Sequence, residues 1–291
     1  MDVHWFPGHM AKALKNIEEY LPLVDLIVET ADARIPRSSR NPAFLDIIGQ
    51  TPHILLLNKK DLADPEQSAE WIKHYEEEGM STLACNTQDS NDVKAVRNLA
   101  MRISEDKLTK IEAKGRQNRP LRIMILGIPN TGKSTLINAL SAKKAAKVSN
   151  QAGVTRGPQW IKTKDQTLEL LDMPGVLWPK LETKEAKLHL AATGAIQDRI
   201  LPLEEIAYFS FIELMALYPE AIKTRYKIDW EDGEDTYDLY LEAARKAGAI
   251  QSGGKVDERR FASRFLTDLR NGVLGPMTLE NVEGPRDHVG F

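Results

Sequence analysis

Residues 127–134, GIPNTGKS, have the G-x-x-x-x-G-K-[ST] pattern of a loop that binds phosphate groups. In such a loop the glycines let the backbone approach the phosphates, which accept hydrogen bonds from N–H groups at a helix start. Lys133 is then expected to reach the outer phosphates and to act in catalysis, while Ser134 supplies an oxygen to Mg²⁺. The neighbours assigned to nucleotide binding are Asn130, Thr131, Gly132 and Thr135. The alternative is a glycine-bounded turn that opens a helix for structural reasons only.

A second motif, NKKD at residues 58–61, follows an apolar run and indicates which base is bound. The Asp61 carboxylate can accept paired hydrogen bonds from the N1 and exocyclic amino donors of guanine, and adenine offers no such pair. We therefore expect GTP as the substrate, with Asn58, Lys59 and Asp61 binding the nucleotide. Alternatively, Asp61 caps a helix in an ordinary charged turn. A weaker signal for contact with the base edge through backbone groups is the loop of Ala84, Cys85 and Asn86.

A third motif, DMPG at residues 172–175, ends another apolar run and predicts the remainder of the triphosphate site. Asp172 is expected to hold Mg²⁺ through a bound water, and the Gly175 N–H is expected to face the γ-phosphate. Upstream, GVTRG at residues 153–157 lies in a loop of suitable length. Thr155 is therefore the candidate second Mg²⁺ ligand, with a part in catalysis, and a plain exposed loop threonine is the alternative.

The elements that must position these motifs alternate between apolar strands and helices, which predicts a mostly parallel sheet covered by helices on both faces. Strands are predicted at residues 24–28, 53–57, 82–84, 121–126, 160–163 and 167–171. Helices are predicted at residues 10–20, 42–48, 65–78, 92–104 and 133–140. The polar residues 104–120 are either a solvated linker or an exposed helix extension. Together these elements predict an α/β domain over residues 1–178.

Long helical patterns follow Trp178 and predict an all-α second domain over residues 179–291. Its helices are expected at residues 183–197, 203–217, 235–247 and 256–271. In the last of these, the positions expected to face the core are Phe261, Phe265, Leu266 and Leu269. The basic residues left outside are Lys255, Arg259, Arg260, Arg264 and Arg270. They form either a solvated charged face or a surface that contacts nucleic-acid phosphates.

The composition excludes several classes of protein. With 291 residues, 42% hydrophobic and 28% charged, the chain is long enough for two packed domains. A formal net charge of -3 excludes a uniformly basic nucleic-acid binder but permits a local basic face. The single cysteine, Cys85, allows no intrachain disulfide and predicts a cytosolic protein. Neither a signal peptide nor an apolar run of membrane-spanning length is apparent, so we expect no membrane contact.

The motifs occur in a rotated order. In Ras-like GTPases the phosphate loop comes first and the base-reading motif last, whereas here the base-reading motif precedes the phosphate loop. The chain therefore resembles a circularly permuted P-loop GTPase, in which the sheet is kept while the chain ends are moved. The segment after Gly175 responds to the γ-phosphate in this fold class and leads here into the helical domain. We therefore expect the nucleotide state to reposition that domain.

Within that group the chain resembles the ribosome biogenesis GTPase A family, also called YlqF-type, over nearly its whole length. The resemblance is carried by the nucleotide motifs, by HWFPGHM at residues 4–10 and by DAR at residues 32–34. It implies a late assembly factor that binds the precursor of the large ribosomal subunit through rRNA and ribosomal proteins. It also implies that this particle stimulates GTP hydrolysis and that the helical domain binds RNA.

The resemblance further implies how water is activated. Val176 stands where Ras-like enzymes carry a glutamine that orients the attacking water, and a valine cannot do this. The resemblance implies a histidine in this role, which corresponds to His9. By residue type alone, a helix-start or packing residue is the better explanation of His9. Other GTPases without the glutamine carry an asparagine at the position of Asn130, which implies a bound K⁺. A turn-stabilising role for Asn130 is the alternative.

A different class of function also fits these motifs, namely a nucleotide-gated RNA-binding scaffold in which hydrolysis matters little. The two functions differ in one expectation, because only the assembly enzyme is stimulated by the ribosomal particle. A membrane-associated or tRNA-modifying GTPase is disfavoured, since no cysteine near either end could carry a lipid and no further catalytic domain is apparent.

Overall fold

Six strands form one sheet in the computed structural model, which describes residues 7–113, 119–141, 157–177, 183–196, 198 and 202–284. For residues 7–10 and 110–112 only the backbone is described. The strands are β1 Leu26–Asp32, β2 His53–Asn58, β3 Ser81–Cys85, β4 Leu121–Gly127, β5 Gln159–Lys162 and β6 Leu168–Asp172. Their order across the sheet is β3-β2-β1-β4-β6-β5, and only β5 runs antiparallel to its neighbour. The predicted mostly parallel sheet is confirmed.

The first strand of the chain lies in the middle of the sheet. It pairs with β2 on one side, where Ile27 stands opposite His53, and with β4 on the other, where Leu26 stands opposite Ile123. All seven residues of β1 are buried. Because β1, β2 and β4 are parallel neighbours, the loops that follow them emerge at the same edge of the sheet, where ligands bind in folds of this kind.

Helices cover both faces of the sheet, as predicted. The helices α1 Pro7–Tyr20, α2 Ala43–Ile48 and α3 Pro65–Glu77 pack on one face, and α4 Ser90–Ala113 and α5 Lys133–Ser141 pack on the other. The alternation of β1 shows why, since Ile27 belongs to the apolar cluster of α1 and α2 while Val28 belongs to that of α4 and α5. Apolar side chains on both faces of a strand require cover on both sides.

The helical region contains α6 Lys184–Ala192, α7 Leu203–Leu217, α8 Pro219–Tyr226, α9 Thr236–Lys246 and α10 Glu258–Arg270. Its centre is α7, where the Phe211 ring lies 5.3 Å from that of Tyr240 and 5.7 Å from that of Phe265. The helix α8 was not predicted, because Pro219 interrupts the pattern; proline is tolerated in the first turn, where its missing N–H has no partner to lose. None of the described helices is both long and apolar enough to span a membrane.

The helix α4 continues to Ala113, so the predicted helix extension, and not the solvated linker, describes residues 104–113. The extension is anchored to the sheet. Lys107 places its Nζ 3.0 Å from Asp25 Oδ1, and Leu108 packs against the apolar cluster beneath. The charged composition thus belongs to a largely exposed helix end that contacts the sheet domain through Lys107 and Leu108.

After α10 the chain returns to the sheet domain. The Met277 N–H donates to the Leu62 carbonyl over 3.0 Å, and the Leu279 N–H donates to the Arg34 carbonyl over 2.8 Å. One apolar cluster also runs without a break from the sheet through Val176 and Leu177 into the helical region. The two regions therefore share part of their apolar core, and the division into domains of residues 1–178 and 179–291 stays a prediction.

Candidate functional site

A cavity of about 610 Å³ lies at the edge of the sheet where β1, β2 and β4 end, which is within the usual size for a small-ligand site. It brings together nine of the predicted nucleotide-binding residues, namely Asn58, Lys59, Asp61, Asn86, Asn130, Gly132, Lys133, Ser134 and Thr135. The lining residues that sequence reasoning missed are Arg34, Leu62, Thr87, Gln88, Thr193, Gly194, Arg270 and Asn271. The base-reading motif and the phosphate loop therefore share one site.

The phosphate loop joins β4 to α5, and Lys133 is the first residue of that helix. Lys133 is buried and donates from Nζ to the Ile128 carbonyl over 2.7 Å. Burial lowers its pKa to about 8, and the nearby Asp172 carboxylate opposes the shift. A buried ammonium group of this kind gains strongly from a neighbouring anion, as expected of a lysine that binds phosphate.

A side-chain amide holds the two motifs together. Asn58 is buried and donates from Nδ2 to the Thr131 carbonyl over 2.7 Å, while its Oδ1 accepts from the Thr87 N–H over 3.1 Å. The loop passes so close that a Cβ on Gly132, whose φ is +97°, would lie 2.0 Å from Asn58 Nδ2. Only glycine fits at this crossing. Thr131 itself does not line the cavity, and its hydroxyl lies 2.7 Å from that of Thr30.

A cluster of charged side chains lies beneath the base-reading motif. Lys59 adopts a left-handed backbone, with φ +61°, and its Nζ donates to Asp32 Oδ2 over 2.8 Å. Arg34 donates to the same carboxylate from Nε over 2.9 Å and from Nη2 over 2.8 Å. Burial alone would raise the pKa of Asp32, but the Arg34 and Lys59 charges hold it well below its usual range. The carboxylate is therefore ionised and doubly paired.

The DMPG turn packs against the phosphate loop without lining the cavity. Asp172 ends β6 and is buried, and it lies near enough to Lys133 to act on its pKa. A Cβ on Gly175 would lie 2.9 Å from Lys133 Nζ and 3.0 Å from the Pro129 nitrogen, so any larger residue there would require the lysine or the phosphate loop to shift. The Asp172 carboxylate and the Ser134 hydroxyl are hard oxygen donors, which is the donor type that Mg²⁺ prefers.

The helical region supplies one wall of the cavity. The turn after α6 contributes Thr193 and Gly194, and the Gly194 carbonyl accepts from Asn130 Nδ2 over 2.6 Å. Arg270, at the end of α10, donates from Nε to the Ala192 carbonyl over 2.9 Å and from Nη2 to the Ala191 carbonyl over 2.8 Å. The arginine thereby caps α6 and holds its final turn at the cavity. No local motif marks these residues in the sequence.

Several predicted residues lie elsewhere. Ala84 and Cys85 belong to β3, so the loop expected there begins only at Asn86, which alone of the three lines the cavity. Cys85 is buried as the last residue of that strand, and burial raises its pKa to about 12. Ala84 packs with the cluster under α3. Thr155 lies outside the described residues, and so does the side chain of His9, whose backbone is part of α1.

The surface of α10 divides as the pattern predicts. Phe261 and Phe265 are buried together with Leu266 and Leu269, whereas Arg259, Arg260 and Arg264 are exposed. Lys255 is exposed as well but precedes the helix, which begins at Glu258 with Asp257 as its cap. Arg270 leaves this face and turns toward the cavity. The basic face therefore consists of three arginines and one lysine.

A second polar cluster lies away from the cavity and has the residue types of a metal site, Glu185, His189 and Glu213. Both ring nitrogens of His189 face carboxylates, with Nε2 2.8 Å from Glu213 and Nδ1 3.3 Å from Glu280. Burial disfavours the charged ring, but the Glu213 and Glu280 carboxylates outweigh it and raise the pKa of His189 to about 10. The protonated ring itself thus occupies the cation position among these carboxylates.

Comparison with known proteins shows similarity over almost the whole chain. Residues 122–208 match the family described as 50S ribosome-binding GTPase. The chain is 42% identical to Ribosome biogenesis GTPase A of Bacillus pumilus, over 97% of this chain and 100% of that protein. It is 33% identical to mouse Mitochondrial ribosome-associated GTPase 1, over 95% of this chain and 89% of that protein.

Solved structures show the same fold. The structure of GNP-bound YlqF from T. maritima is similar with a TM-score of 0.63 and 24% identity, over 94% of this chain and 100% of that one. The GDP-bound structure of TM YlqF is similar with a TM-score of 0.61 and 25% identity, over 92% of this chain and 99% of that one.

Proposed function

We propose that this chain, which belongs to the ribosome biogenesis GTPase A family, is a late assembly factor of the large ribosomal subunit. The chain is a GTPase with GTP as its substrate. In this proposal it works in the cytoplasm and converts GTP to GDP and phosphate when the precursor particle, with its rRNA and ribosomal proteins, stimulates it. The hydrogen bond from Asn58 to Thr131, which joins the 58–61 motif to the phosphate loop, carries the nucleotide-binding part of the proposal. The 42% identity to Ribosome biogenesis GTPase A of Bacillus pumilus supports the assembly role.

The residues around the cavity divide the nucleotide between them in this proposal. Asp61 accepts the two guanine donors, and the loop of Asn130, Thr131 and Gly132 surrounds the phosphates with N–H groups. Lys133 exchanges its bond to the Ile128 carbonyl for phosphate oxygens. Ser134 and Asp172 would hold Mg²⁺ together with Thr155, and the ion would neutralise charge on the phosphates. Gly175 brings its N–H to the γ-phosphate.

The base specificity is tested by changing Asp61 to Asn. An amide cannot accept both guanine donors, so we expect Asp61→Asn to weaken GTP binding by about 100-fold and to improve binding of xanthosine triphosphate. Asp64→Asn is the matched control, because Asp64 caps α3 nearby without lining the cavity, and asparagine caps helices equally well. Equal effects of the two changes would contradict base reading by Asp61.

The activation of water is tested by changing His9 to Ala. If His9 positions water, the variant keeps its GTP affinity and loses stimulated turnover by about 100-fold, the range of general base effects. Turnover equal to that of the unchanged chain would rule out this role. A parallel comparison in KCl and NaCl tests the K⁺ proposal, in which Asn130→Ala abolishes any preference for K⁺.

The stimulation by ribosomal particles is tested by single-turnover hydrolysis with and without purified large subunits. We expect a faster rate with the particle, and Ser134→Ala, which loses a Mg²⁺ ligand, should stay slow in both conditions. A rate that the particle does not change would favour the RNA-binding scaffold instead. Both arms use the full chain.

The contact with rRNA is proposed for the exposed arginines of α10. Changing Arg259, Arg260 and Arg264 to Glu should weaken binding to the particle, and the loss should be greatest at low salt, because phosphate contacts release counterions. The control changes three exposed lysines of the sheet domain, Lys73, Lys94 and Lys164, to Glu, so that the charge is altered by the same amount on another surface. Equal losses with the control would show that net charge alone decides binding.

A further inference from the structure

The last residue of β1 is the centre of the charged cluster beneath the cavity. Asp32 is buried, and its two carboxylate oxygens accept from Arg34 Nε and Nη2 and from Lys59 Nζ over 2.8 to 2.9 Å. Arg34 makes a two-point contact, so Arg34 alone fixes the plane of the Asp32 carboxylate. One oxygen, Oδ2, is thereby presented to the Lys59 ammonium group.

Lys59 is the residue that this contact controls. It follows β2 directly and has a left-handed backbone, and it lines the cavity beside Asp61. With its ammonium group held by Asp32, the four-carbon stem is confined between its backbone and the carboxylate. A lysine without such an anchor samples many rotamers, because its stem is flexible and its charge is strongly hydrated.

We infer that Asp32 is a positioning residue for nucleotide binding, which holds Lys59 so that the lysine stem forms an apolar face of the nucleoside pocket. The inference rests on the proposed function, since it requires that the cavity takes a guanine nucleotide. It gives Asp32, the first residue of the DAR motif, the role of holding a nucleotide-binding side chain in place. Asp32 acts through Lys59 and does not contact the nucleotide itself.

The same strand supplies a matched control. Asp25 stands just before β1 as Asp32 stands at its end, and both side chains are buried. Asp25 also has two cationic partners, with Lys107 Nζ at 3.0 Å and Arg119 Nη1 at 2.7 Å. It lies at the opposite edge of the sheet from the cavity. Asp25→Asn therefore removes an equivalent charge without reaching the site.

The experiment compares Asp32→Asn with Asp25→Asn in the full chain. The affinity for GDP and for GTP, the kcat at saturating GTP, and the midpoint of urea unfolding are measured for each. We expect Asp32→Asn to raise both dissociation constants by about 10-fold, the effect of one lost charge-assisted hydrogen bond, with kcat unchanged. Asp25→Asn should lower the unfolding midpoint while both dissociation constants stay unchanged.

The pattern of selectivity gives a second readout. A lysine stem contacts the face of the base and does not read its edge, so Asp32→Asn should weaken GTP and inosine triphosphate by the same factor. Asp61→Asn should change their ratio instead, because inosine lacks the exocyclic amino donor. A ratio that Asp32→Asn also changes would overturn the assignment to the base face.

The remaining outcomes are also decisive. If Asp32→Asn leaves nucleotide affinity unchanged, or if Asp32→Asn and Asp25→Asn lower that affinity equally, the charged cluster only stabilises the fold. If Asp32→Asn does not fold, Lys59→Met replaces it, because Asp32 then keeps both bonds to Arg34; a dissociation constant raised by about 10-fold supports the inference and an unchanged one overturns it. Should the unchanged chain fail to bind GTP, the proposed function fails first.

Discussion

Asn58 donates from its side-chain amide to the main-chain carbonyl of Thr131 over 2.7 Å, although 73 positions separate the two residues. The contact joins the loop after β2 to the loop after β4, and both loops line the same cavity. Because the amide also accepts from Thr87, it fixes three loops with one side chain. The 58–61 motif and the 127–134 loop are therefore held together as one unit.

The crossing of these loops predicts a strong effect of Gly132→Ala. The added Cβ would lie 2.0 Å from Asn58 Nδ2, so the loops must separate. We expect a free energy of unfolding lower by about 2 to 3 kcal/mol and a clear loss of GTP affinity. Gly233→Ala is the control, since its φ of +95° is nearly equal to the +97° of Gly132 but its Cβ meets nothing within 4 Å. It should cost only about 1 kcal/mol and leave binding intact.

Lys133 predicts how GTP affinity depends on pH. Its pKa is lowered to about 8 by burial, so the side chain loses its proton above that pH, while phosphate binds the charged form. Binding above pH 8 must therefore take up a proton, and affinity should fall by up to about 10-fold per pH unit. Titration calorimetry at pH 8.5 in two buffers of different ionisation enthalpy measures the uptake. Lys133→Arg, which stays protonated, should show none; equal uptake in both proteins would contradict this role.

His189 predicts how stability depends on pH. Its pKa rises from 6.5 to about 10 on folding, because the Glu213 and Glu280 carboxylates outweigh burial. A raised pKa means that the folded chain binds the proton more tightly, so the stabilisation is complete below pH 6.5 and is lost as the pH rises toward about 10. Urea unfolding between pH 6.5 and 9.5 should show this decline.

The variant His189→Gln isolates that effect from other titrating groups. It should be less stable than the unchanged chain at pH 6.5, and the difference between the two should shrink as the pH rises. His74→Gln is the control, because His74 is only partly buried on α3 and pairs with Glu78 one turn away. A difference that stays constant with pH would show that His189 is neutral in the fold.

Glu280 lies in the segment after α10 and links it to the sheet domain and to α6, so we expect this residue to contribute to stability. Its carboxylate accepts from the Arg37 N–H over 2.7 Å, from the Ser38 N–H over 3.2 Å and lies 3.3 Å from His189. Glu280→Ala leaves a charged histidine and two N–H groups with fewer partners, so we expect unfolding to be easier by about 3 to 5 kcal/mol. Glu283→Ala, at an exposed position nearby, should change little. Thermal unfolding by circular dichroism compares them.

Much of the fold could be predicted from sequence because its signals are local. The strand of residues 53–57 and the helix of residues 203–217 differ from the structure by at most one residue, since apolar period and flanking turns define them. The helix α8 escaped prediction because Pro219 follows α7 by one residue, and a proline in a first turn resembles a break. Sequence patterns therefore predicted isolated helices and strands more reliably than two helices that follow each other without a loop.

The candidate site divides in the same way. Lys133 and Asp61 belong to motifs whose spacing is set by the ligand, and the sequence indicated both. Thr193 and Arg270 line the same cavity, yet both are placed there by tertiary packing between the sheet and the helical region. No spacing in the chain encodes that approach. Such residues can be found only once the packing is known.

The central place of β1 has a consequence for how the chain is made. Its parallel neighbour β4 begins at Leu121, so β1, β2 and β3 are synthesised well before that partner exists. During this interval one edge of an apolar strand stands open, and an open edge invites pairing with other chains. The permuted order therefore leaves the centre of the sheet incomplete until residues 121–127 have been synthesised.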